Sequence, residues 1–346
     1  MQETHAEMKL HRYEEQAAIE EVGDRIYRAV IPQPFYAPNN IYIIRSDEPA
    51  LIDSGYIQNM GILQRALRKI GLSFSRIRHV FYTHNHIDHI SGSLTLRAYS
   101  SAKHYGMAGM ASRIGNYMEY METFQRAMSR LIYKAMPDPA ERKKETEKAG
   151  EPWNRLKKAF ESSVKVDPIL KMDVELVEGD VIDIGGRLLG FMHTPGHNSW
   201  HLSPYILGEG IYFTGDLILN NISAVYAELD GNLEHYLRSL ERIGKIPVKR
   251  ILPAHGDEPK DPKRAAKALH KTLTLLERGV IRRLKSGEFD LQDLVLEAMG
   301  EKVRNSPYYV TALGIIHAIV LKHTALGNIS TVETDPPYEK YLWSGK

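Results

Sequence analysis

The stretch Thr83-His84-Asn85-His86-Ile87-Asp88-His89 places three imidazoles and one carboxylate within six consecutive positions. It follows the apolar run Val80-Phe81-Tyr82, which has the composition of a buried strand. These side chains are costly to bury without partners, and neutral imidazole with carboxylate is the donor set that zinc and similar divalent ions take. The stretch therefore predicts a metal site in the loop after a strand, in preference to a surface loop that happens to be rich in histidine.

The composition is that of an ordinary globular protein. The 346 residues are 43% hydrophobic and 25% charged with a net charge of +2, so the overall charge does not indicate a nucleic-acid surface. The absence of cysteine excludes disulfides, thiol nucleophiles and thiolate-ligated zinc, which leaves His, Asp and Glu as metal ligands. Residues 1–19 lack a signal-peptide core, and the longest apolar run, Val310–Leu321, is too short to span a membrane. We therefore expect a cytoplasmic protein that does not enter a membrane.

The first third of the chain predicts a β-meander that continues into alternating helices and strands. Residues 1–23 are charged and compatible with a helix. Apolar periodicity and β-branched composition predict strands at 26–31, 40–44, 50–52, 80–82 and 102–105, and helices at 60–70 and 92–99.

A helical insertion is predicted at residues 106–168. The segment from Met107 to Met136 holds six of the chain's twelve methionines, interleaved with aromatic residues at helical spacing. The prolines at 137–139 predict a break, residues 141–148 a solvated charged run, and residues 153–166 a further helix. Two interpretations of the apolar stripe stay open: it packs against the core, or it forms a lid over the site.

Strands are predicted at 174–177, 181–184 and 187–192, which together indicate a second sheet. The last of these strands and two later ones are each followed by a candidate metal ligand. His193-Thr194-Pro195-Gly196-His197 follows the last of these strands, and two later strands precede Thr214-Gly215-Asp216 and Ala254-His255-Gly256. Four strand ends that each deliver His or Asp predict convergence on one edge of a sheet.

Five segments together resemble the ordered signature motifs of the metallo-β-lactamase-fold hydrolases. They are Asp53-Ser54-Gly55, His84-x-His86-x-Asp88-His89, Thr194-Pro195-Gly196-His197, Thr214-Gly215-Asp216 and Ala254-His255-Gly256. The resemblance implies an α+β fold, an αββα sandwich, which agrees with the two predicted strand clusters. Related proteins hydrolyse β-lactams, thioesters, lactones, phosphodiesters and sulfate esters, so the resemblance implies a hydrolase without fixing its substrate.

The resemblance also implies a ligand set for two divalent metal ions, zinc or else iron or manganese. By this correspondence one ion is held by His84, His86 and His197, the second by Asp88, His89 and His255, and Asp216 bridges the two. A hydroxide between the ions would be the nucleophile, with Asp88 taking up the proton.

Two further residues of the motifs are expected behind the ligands. Asp53 would hydrogen-bond the ligand loop from behind. His201 matches a second histidine found four residues after the ligand of this turn, and either a structural or a site role is open for it.

Two residues differ from the patterns of particular subfamilies and argue against membership in them. His86 stands where flavo-diiron proteins carry a glutamate, which argues against redox chemistry, and Leu219 stands where quorum-quenching lactonases carry a tyrosine. The segment 215–240 and the tail beyond 256 are more similar to the lactamase-β-2-like group, whose C-terminal appendage is helical and winged-helix-like.

We therefore expect a catalytic domain at residues 1–258 and a helical, winged-helix-like domain at residues 259–346. Helical patterns in this tail run from 261 to 284, 290 to 299 and 308 to 324, and residues 327–329 suit a short strand or wing.

The expected substrate is a small-molecule ester or thioester, including an acyl-CoA-like thioester, because the apolar stripe suits an acyl chain. A nuclease or phosphodiesterase, or a lactonase, is the alternative. Five basic residues indicate either a solvated helix face or a phosphate-binding stripe, with nucleic acid the less favoured partner: Lys260, Lys263, Arg264, Lys267 and Lys271.

Overall fold

The computed structural model describes residues 17–33, 37–163, 169–219, 225, 227–306, 308–332, 334 and 338–345, with the backbone alone at 152, 156 and 159–163. The predicted N-terminal helical segment therefore lies outside the described residues as far as residue 16. The described strands are β1 (Ala18–Gly23), β2 (Ile26–Ile31), β3 (Asn39–Ile44), β4 (Ala50–Ile52), β5 (His79–Phe81), β6 (Lys103–Met107), β7 (Val174–Leu176), β8 (Val181–Asp183), β9 (Leu188–His193), β10 (Leu202–Ile206), β11 (Ile211–Gly215), β12 (Arg250–Pro253), β13 (Phe289–Asp290), β14 (Ile329–Val332) and β15 (Lys340–Trp343).

The α-helices of the same ranges are α1 (Met60–Lys69), α2 (Ile87–Ile90), α3 (Ser93–Tyr99), α4 (Met110–Ile114), α5 (Tyr117–Ala135), α6 (Pro139–Ser163), α7 (Leu233–Lys245), α8 (Pro262–Leu284), α9 (Leu291–Met299) and α10 (Tyr309–Ala325). Short 3₁₀ helices occupy Ile57–Asn59, Phe74–Arg76 and Glu301–Asn305.

Two sheets pack face to face at the centre of the molecule. The first has the order β1-β2-β3-β4-β5-β6-β7, and the second has the order β12-β11-β10-β9-β8. Aromatic side chains join them: the ring centroids of Phe81 and Phe191 are 5.4 Å apart, and those of Tyr42 and Phe213 are 5.3 Å apart. The apolar residues of α1 pack on the outer face of the first sheet and those of α7 on the outer face of the second. This is the predicted αββα sandwich, which is confirmed.

Three strand predictions are corrected by the pairing. Ala18–Gly23 is a strand and not part of a helix, because it pairs antiparallel with β2 and Arg28 Nε donates to Glu20 at 2.8 Å. Strand β7 joins β6 in the first sheet, so residues 174–177 do not belong to the second sheet as predicted. The sequence does not predict β10 because Pro204, which has no backbone N–H, lies at its centre.

The break that the sequence predicts at residues 137–139 is confirmed, because α5 ends at Ala135 and α6 begins at Pro139. A single helix then runs where the sequence predicts a solvated run followed by a second helix. Helix α6 begins at Pro139, a first helical position at which the missing N–H costs nothing, and Asp138 Oδ1 accepts from the N–H of Ala140 at 2.8 Å. The charged run at 141–148 therefore lies within the helix, with half of its residues partly covered.

The apolar stripe of α4 and α5 packs against the ligand loop. Met110, Tyr117 and Met121 are buried in one cluster with Ile87 and Ile90 of the loop. The hydroxyl of Tyr117 donates to the carbonyl of Ile87 at 3.4 Å. These three stripe residues thus form core, as one of the two interpretations expects.

The C-terminal helices surround α10 and carry a small antiparallel sheet of order β13-β15-β14, in agreement with the predicted wing at residues 327–329. A cleft of about 310 Å³ opens between α8 and α9 and includes none of the predicted ligands in its lining. Within the described ranges, the helices are too short or too polar to cross a membrane.

Candidate metal centre

The predicted ligands lie together because neighbouring strands deliver them to one edge of the sandwich. Strands β4 and β5 are parallel neighbours, so the turn at Asp53 and the loop at His84 leave the first sheet side by side. Strands β11 and β12 are parallel neighbours in the second sheet, which places Asp216 beside His255. His197 follows β9 in the same sheet.

Two glycines allow the ligand turns to approach their neighbours closely. A Cβ on Gly196, whose φ is 145°, would lie 2.2 Å from the Cα of Tyr236 at the start of α7. A Cβ on Gly215, whose φ is 47°, would lie 2.6 Å from His201 Nε2. Both positions therefore require glycine for steric as well as conformational reasons.

The structure brings all seven predicted ligands into three overlapping groups, within each of which the donor atoms lie within 4.8 Å of one another. These groups are His84, His86 and His197; His84, His89 and Asp216; and Asp88, His89 and His255. The first and third groups are the two triads that the family resemblance implies.

The two aspartates lie between the histidines. Asp216 Oδ2 is 3.6 Å from His197 Nε2, and Asp216 Oδ1 is 3.4 Å from His255 Nε2, so its two oxygens face opposite triads. Asp88 Oδ2 lies 3.2 Å from His255 Nε2 and 3.4 Å from His89 Nε2. This is the arrangement expected if Asp216 bridges and Asp88 serves a single position.

Hydrogen bonds behind three histidines fix which ring nitrogen faces the centre. His89 Nδ1 donates to Asp53 Oδ2 at 2.9 Å, and His255 Nδ1 donates to the carbonyl of Pro38 at 3.0 Å. His84 Nδ1 donates to Thr83 Oγ1 at 3.0 Å, since that hydroxyl itself donates to Asp53. In each case Nδ1 carries a proton, so Nε2 is the nitrogen that faces the centre and that a metal ion would take in its unprotonated form.

The electrostatics of the site depend on burial and on the neighbouring charges. Burial, with the nearby imidazoles of His89 and His197 respectively, holds the pKa of His84 and of His86 well below the usual value. Burial acts in the same direction on His89, but the carboxylates of Asp88, Asp216 and Asp53 outweigh it and raise its pKa well above the usual value.

Asp53 and His201 support the ligands from behind. Asp53 Oδ1 accepts from the N–H of Thr83 at 2.8 Å, so its carboxylate holds both the ligand loop and His89. His201 Nε2 accepts from the N–H of Asp216 at 3.3 Å, and its Nδ1 donates to Thr194 at 2.9 Å. With both nitrogens engaged, His201 has the geometry of a structural partner.

Two residues near the centre, Asn39 and Gln33, are not predicted from the sequence, whereas a third, Phe124, belongs to the apolar stripe for which a lid over the site is one of the two interpretations. Asn39 and Gln33 donate side-chain amide N–H groups to Asp88 Oδ2 at 3.2 and 3.4 Å. The ring of Phe124 stands edge-on to His86, with centroids 5.5 Å apart. The only sequence signal for Asn39 is a polar pair, Asn39-Asn40, that opens a strand of otherwise apolar residues.

The donor atoms fit a pair of divalent ions. Buried His84 Nε2 makes no hydrogen bond to any described residue, although it points into the cluster. Such nitrogens are costly to bury without a partner, and a cation satisfies imidazole lone pairs directly. Five neutral imidazoles with two carboxylates suit zinc better than calcium or magnesium.

The chain is similar in sequence to known proteins over about half of its length or more. A Beta-lactamase-like protein 2 homolog of Caenorhabditis elegans is 26% identical over 168 residues, 49% of this chain and 54% of that protein. The chain thus spans about half the length of this relative. An Atrochrysone carboxyl ACP thioesterase of Claviceps purpurea is 22% identical over 300 residues, 83% of this chain and 76% of that protein.

A solved structure matches the fold of this chain, and a family model matches its sequence. The crystal structure of a metallo-beta-lactamase family protein from Thermus thermophilus superposes with a TM-score of 0.71 at 21% identity, covering 92% of this chain and 98% of that one. Residues 36–255 match the family model described as the metallo-beta-lactamase superfamily. On this match, with its ordered motifs and its sandwich fold, the chain belongs to the metallo-β-lactamase superfamily.

Proposed function

We propose that this chain is a dinuclear, metal-dependent hydrolase of small-molecule thioesters or esters. The observation that carries the proposal is the convergence of seven side chains into two triads joined through Asp216. One ion would be held by His84, His86 and His197 and the other by Asp88, His89 and His255, with zinc as the metal and iron or manganese as alternatives. When bound, two such ions lower the pKa of water toward neutrality and polarise a carbonyl group.

The protein's own residues would prepare the site for that chemistry. Asp216 and Asp88 leave the pair of ions with a net positive charge, which suits the negative charge that develops on the substrate oxygen. Asp88 would accept the proton on Oδ2, the oxygen to which Asn39 and Gln33 donate. The amide groups thereby keep this carboxylate turned toward His89 and His255.

An acyl thioester is the substrate class that the surroundings support best. The relative from Claviceps purpurea that aligns with most of the chain is named as a thioesterase. Phe124 contacts His86 and packs with Trp153, so an apolar wall stands beside the first triad. Such a wall favours an acyl chain over a phosphate.

The basic stripe at residues 260–271 gives no support to a nuclease. All five cations are exposed and form no ion pair with another described residue. After His255 the chain turns back along the sheet, because Glu258 pairs with Arg250 at the opposite end of β12. The stripe thus begins at the end of the strand remote from the metal centre, as expected of a solvated face.

A substrate panel with metal analysis tests the proposal. The zinc-reconstituted protein is offered acyl-CoA thioesters, a lactone, a phosphodiester and single-stranded RNA, and bound metal is counted for each preparation. We expect about two ions per chain and a clear preference for thioesters. Asp216→Ala should lower turnover on the order of a hundredfold while leaving the fold intact.

His79→Gln is the matched control, since His79 is also buried but lies at the other end of β5, where it pairs with Glu48. It should keep both metal and turnover. A single ion per chain after full reconstitution, or faster turnover of the phosphodiester than of every thioester, would contradict the proposal.

A further inference from the structure

Arg113 borders the segments that carry the metal ligands, and it pairs with its counter-ion Asp230 through Nε alone. Its Nε donates to Asp230 Oδ1 at 3.1 Å, and the aspartate is buried while 31% of the arginine side chain is exposed. The terminal nitrogens, Nη1 and Nη2, donate to no described residue. Four of the five guanidinium N–H groups therefore have no hydrogen-bond partner among the described residues.

Segments that carry metal ligands border this arginine. Asn85, between His84 and His86, donates to Asp230 Oδ2 at 3.4 Å, so the same carboxylate holds the ligand loop and the arginine. Trp200, three residues after His197, has its ring centroid 5.9 Å from the guanidinium carbon of Arg113. The arginine is therefore anchored to two of the ligand segments.

The insertion borders it on the other side. The ring of Tyr120 also lies 5.9 Å from the guanidinium carbon of Arg113. Tyr120 is one helical turn before Phe124, whose ring contacts His86. Arg113 thus lies beside a ring that is one helical turn from Phe124, and between two aromatic rings that restrict its rotamers.

We propose that Arg113 is a specificity-determining residue that binds an anionic group of the substrate, a carboxylate or a phosphate. The proposal rests on the function proposed above and names the substrate class more closely, as an anionic thioester. A guanidinium fork binds such groups through two parallel N–H donors, and here the fork is already oriented by Asp230, Tyr120 and Trp200. Either half of a thioester can carry the anion, so the probes must separate the acyl side from the thiol side.

Binding of three thioethers to the zinc-loaded, full-length protein, followed by isothermal titration calorimetry, tests the proposal without turnover. S-pentyl-N-acetylcysteamine is neutral, S-pentyl-N-acetylcysteine adds a carboxylate on the thiol side, and S-(4-carboxybutyl)-N-acetylcysteamine adds one on the acyl side. We expect one of the two carboxylates to bind roughly tenfold to a hundredfold more tightly than the neutral probe. Arg113→Met should abolish that difference and leave the neutral probe unchanged.

Arg187→Met is the matched control. Arg187 makes a two-point ion pair with Glu209 at 2.8 and 2.6 Å, just before β9 and at the opposite end of that strand from the metal centre. It should retain the full preference for the anionic probe.

Two results would overturn the proposal. Arg113→Met could weaken all three probes equally, which would make Arg113 a mere support of Asp230 and the ligand loop. It could also leave the preference intact, which would place the carboxylate elsewhere, such as on the ions. If Arg113→Met does not fold, Arg113→Lys decides between the same outcomes, because lysine keeps the charge but loses the fork and should weaken the anionic probe alone. Failure to hydrolyse thioesters would contradict the proposed function separately, since these titrations need no hydrolysis.

Discussion

At the scale of single residues, Asp53 has an unusual backbone with a clear purpose. Its φ of 63° lies in the left-handed region, which few residues other than glycine adopt, although Asp and Asn tolerate it better than most. This turn at the end of β4 brings the carboxylate beneath the ligand loop, where it accepts from Thr83 N–H and His89 Nδ1. Hydrogen bonds to a charged acceptor offset the backbone strain.

Asp53→Asn is expected to weaken metal binding more than it weakens the fold. The amide nitrogen cannot accept from His89 Nδ1, so the histidine loses the partner that holds its Nε2 toward the centre. Loss of such a partner costs roughly tenfold to a hundredfold in metal affinity. Competition with a chromophoric zinc chelator measures the change.

Asp173→Asn is the control for this experiment. Asp173 also accepts from a backbone N–H, that of His104 at 2.7 Å, and pairs with an arginine, but it contacts none of the ligands. Its replacement should leave the zinc affinity unaltered. Equal losses in the two variants would mean that Asp53 acts only through general stability.

Asn39→Ala should lower turnover by about tenfold, because Asp88 loses one of the donors that stabilise its charged form. The pH profile of turnover distinguishes this from a packing defect: without the amide, the limb that reports the carboxylate should move to higher pH. Asn40→Ala serves as comparison, since Asn40 donates to the carbonyls of Pro253 and Gly256 and not to a ligand. The same shift in both variants would refute the assignment.

The sequence predicts the candidate metal ligands but not all of the residues that support them from other segments. The histidines at 84, 86 and 89 stand in one local motif whose chemistry is evident from composition alone, and each distant ligand follows a predicted strand. Asn39 has no such signal, because its contact with Asp88 joins positions 49 residues apart and depends on the pairing of β3 with its neighbours. Arg113 is likewise one basic residue among many until the fold places Asp230 beside it.

At the scale of elements, the local sequence pattern predicts the wrong secondary structure in two segments. The glutamates of Ala18–Gly23 suit a helix, but β2 offers an edge to pair with, and the strand closes one side of the first sheet. Pro139 reads as a helix breaker yet begins α6, since proline is tolerated in the first turn. For β1 the information missing from the local pattern is the edge of β2, whereas for α6 the signal is local, a proline at the first helical position preceded by the capping Asp138.

Helix α5 presents Phe124 to the metal centre, and this contact predicts how acyl-chain length affects binding. If the chain lies along this ring, each two-carbon extension buries two methylenes at about 0.8 kcal/mol apiece and improves binding roughly tenfold until the space is filled. Phe124→Ala should flatten the series. Inhibition constants of alkyl thioethers of increasing length provide the measurement.

Met128→Ala is the control on the same helix. Met128 is buried one turn further along, in the cluster that includes Phe124, but it carries no ring that stands against His86. The length dependence should survive in this variant. A series that is already flat in the unaltered protein would exclude Phe124 as part of an acyl site.

At the scale of the whole molecule, the C-terminal helices share a core with the sandwich. Leu131 and Ile132 of α5, Leu240 of α7 and Leu313 and Ile316 of α10 belong to one buried cluster. Helix α10 has 12 buried residues among its 17, so it is covered on nearly all sides. The predicted division at residue 258 therefore separates segments of chain that pack together.

A chain ending at residue 258 should be insoluble or should fail to fold cooperatively. Removing α10 would expose the apolar faces of α5 and α7, and exposed patches of this size promote aggregation. Sedimentation and thermal melting of the truncated chain, beside the full-length protein, check this. A monomeric fragment with a sharp melting transition would show instead that residues 1–258 fold independently.

Metal ions and protons should compete for the same histidine nitrogens, so the stability of the folded protein should depend on both pH and bound metal. In the metal-free protein, burial lowers the pKa of His255, but Asp216 and Asp88 outweigh it and raise the pKa, as they do with Asp53 for His89. Protonated His89 and His255 thus stabilise the metal-free fold fully below their ordinary pKa of about 6.5, and this contribution is lost as the pH rises through the raised values. Metal binding requires the same nitrogens without protons, so it strengthens over that range and adds RT ln(1 + [M]/Kd), about 2.7 kcal/mol at a hundredfold excess over Kd.

The gap between the melting temperatures of zinc-loaded and chelator-stripped protein should therefore widen from about pH 6 to about pH 8. Scanning calorimetry at fixed free zinc measures it, with His79→Gln as the control because His79 lies outside the centre, so its loss should leave the widening intact. His255→Gln removes one metal ligand together with the proton that competes with the metal for it. The difference in melting temperature and its dependence on pH should therefore both become smaller. A gap that stays constant with pH in the unaltered protein would mean that protons on His89 and His255 do not oppose the metal, and that the carboxylates between the two triads stabilise the metal-free fold by some other route.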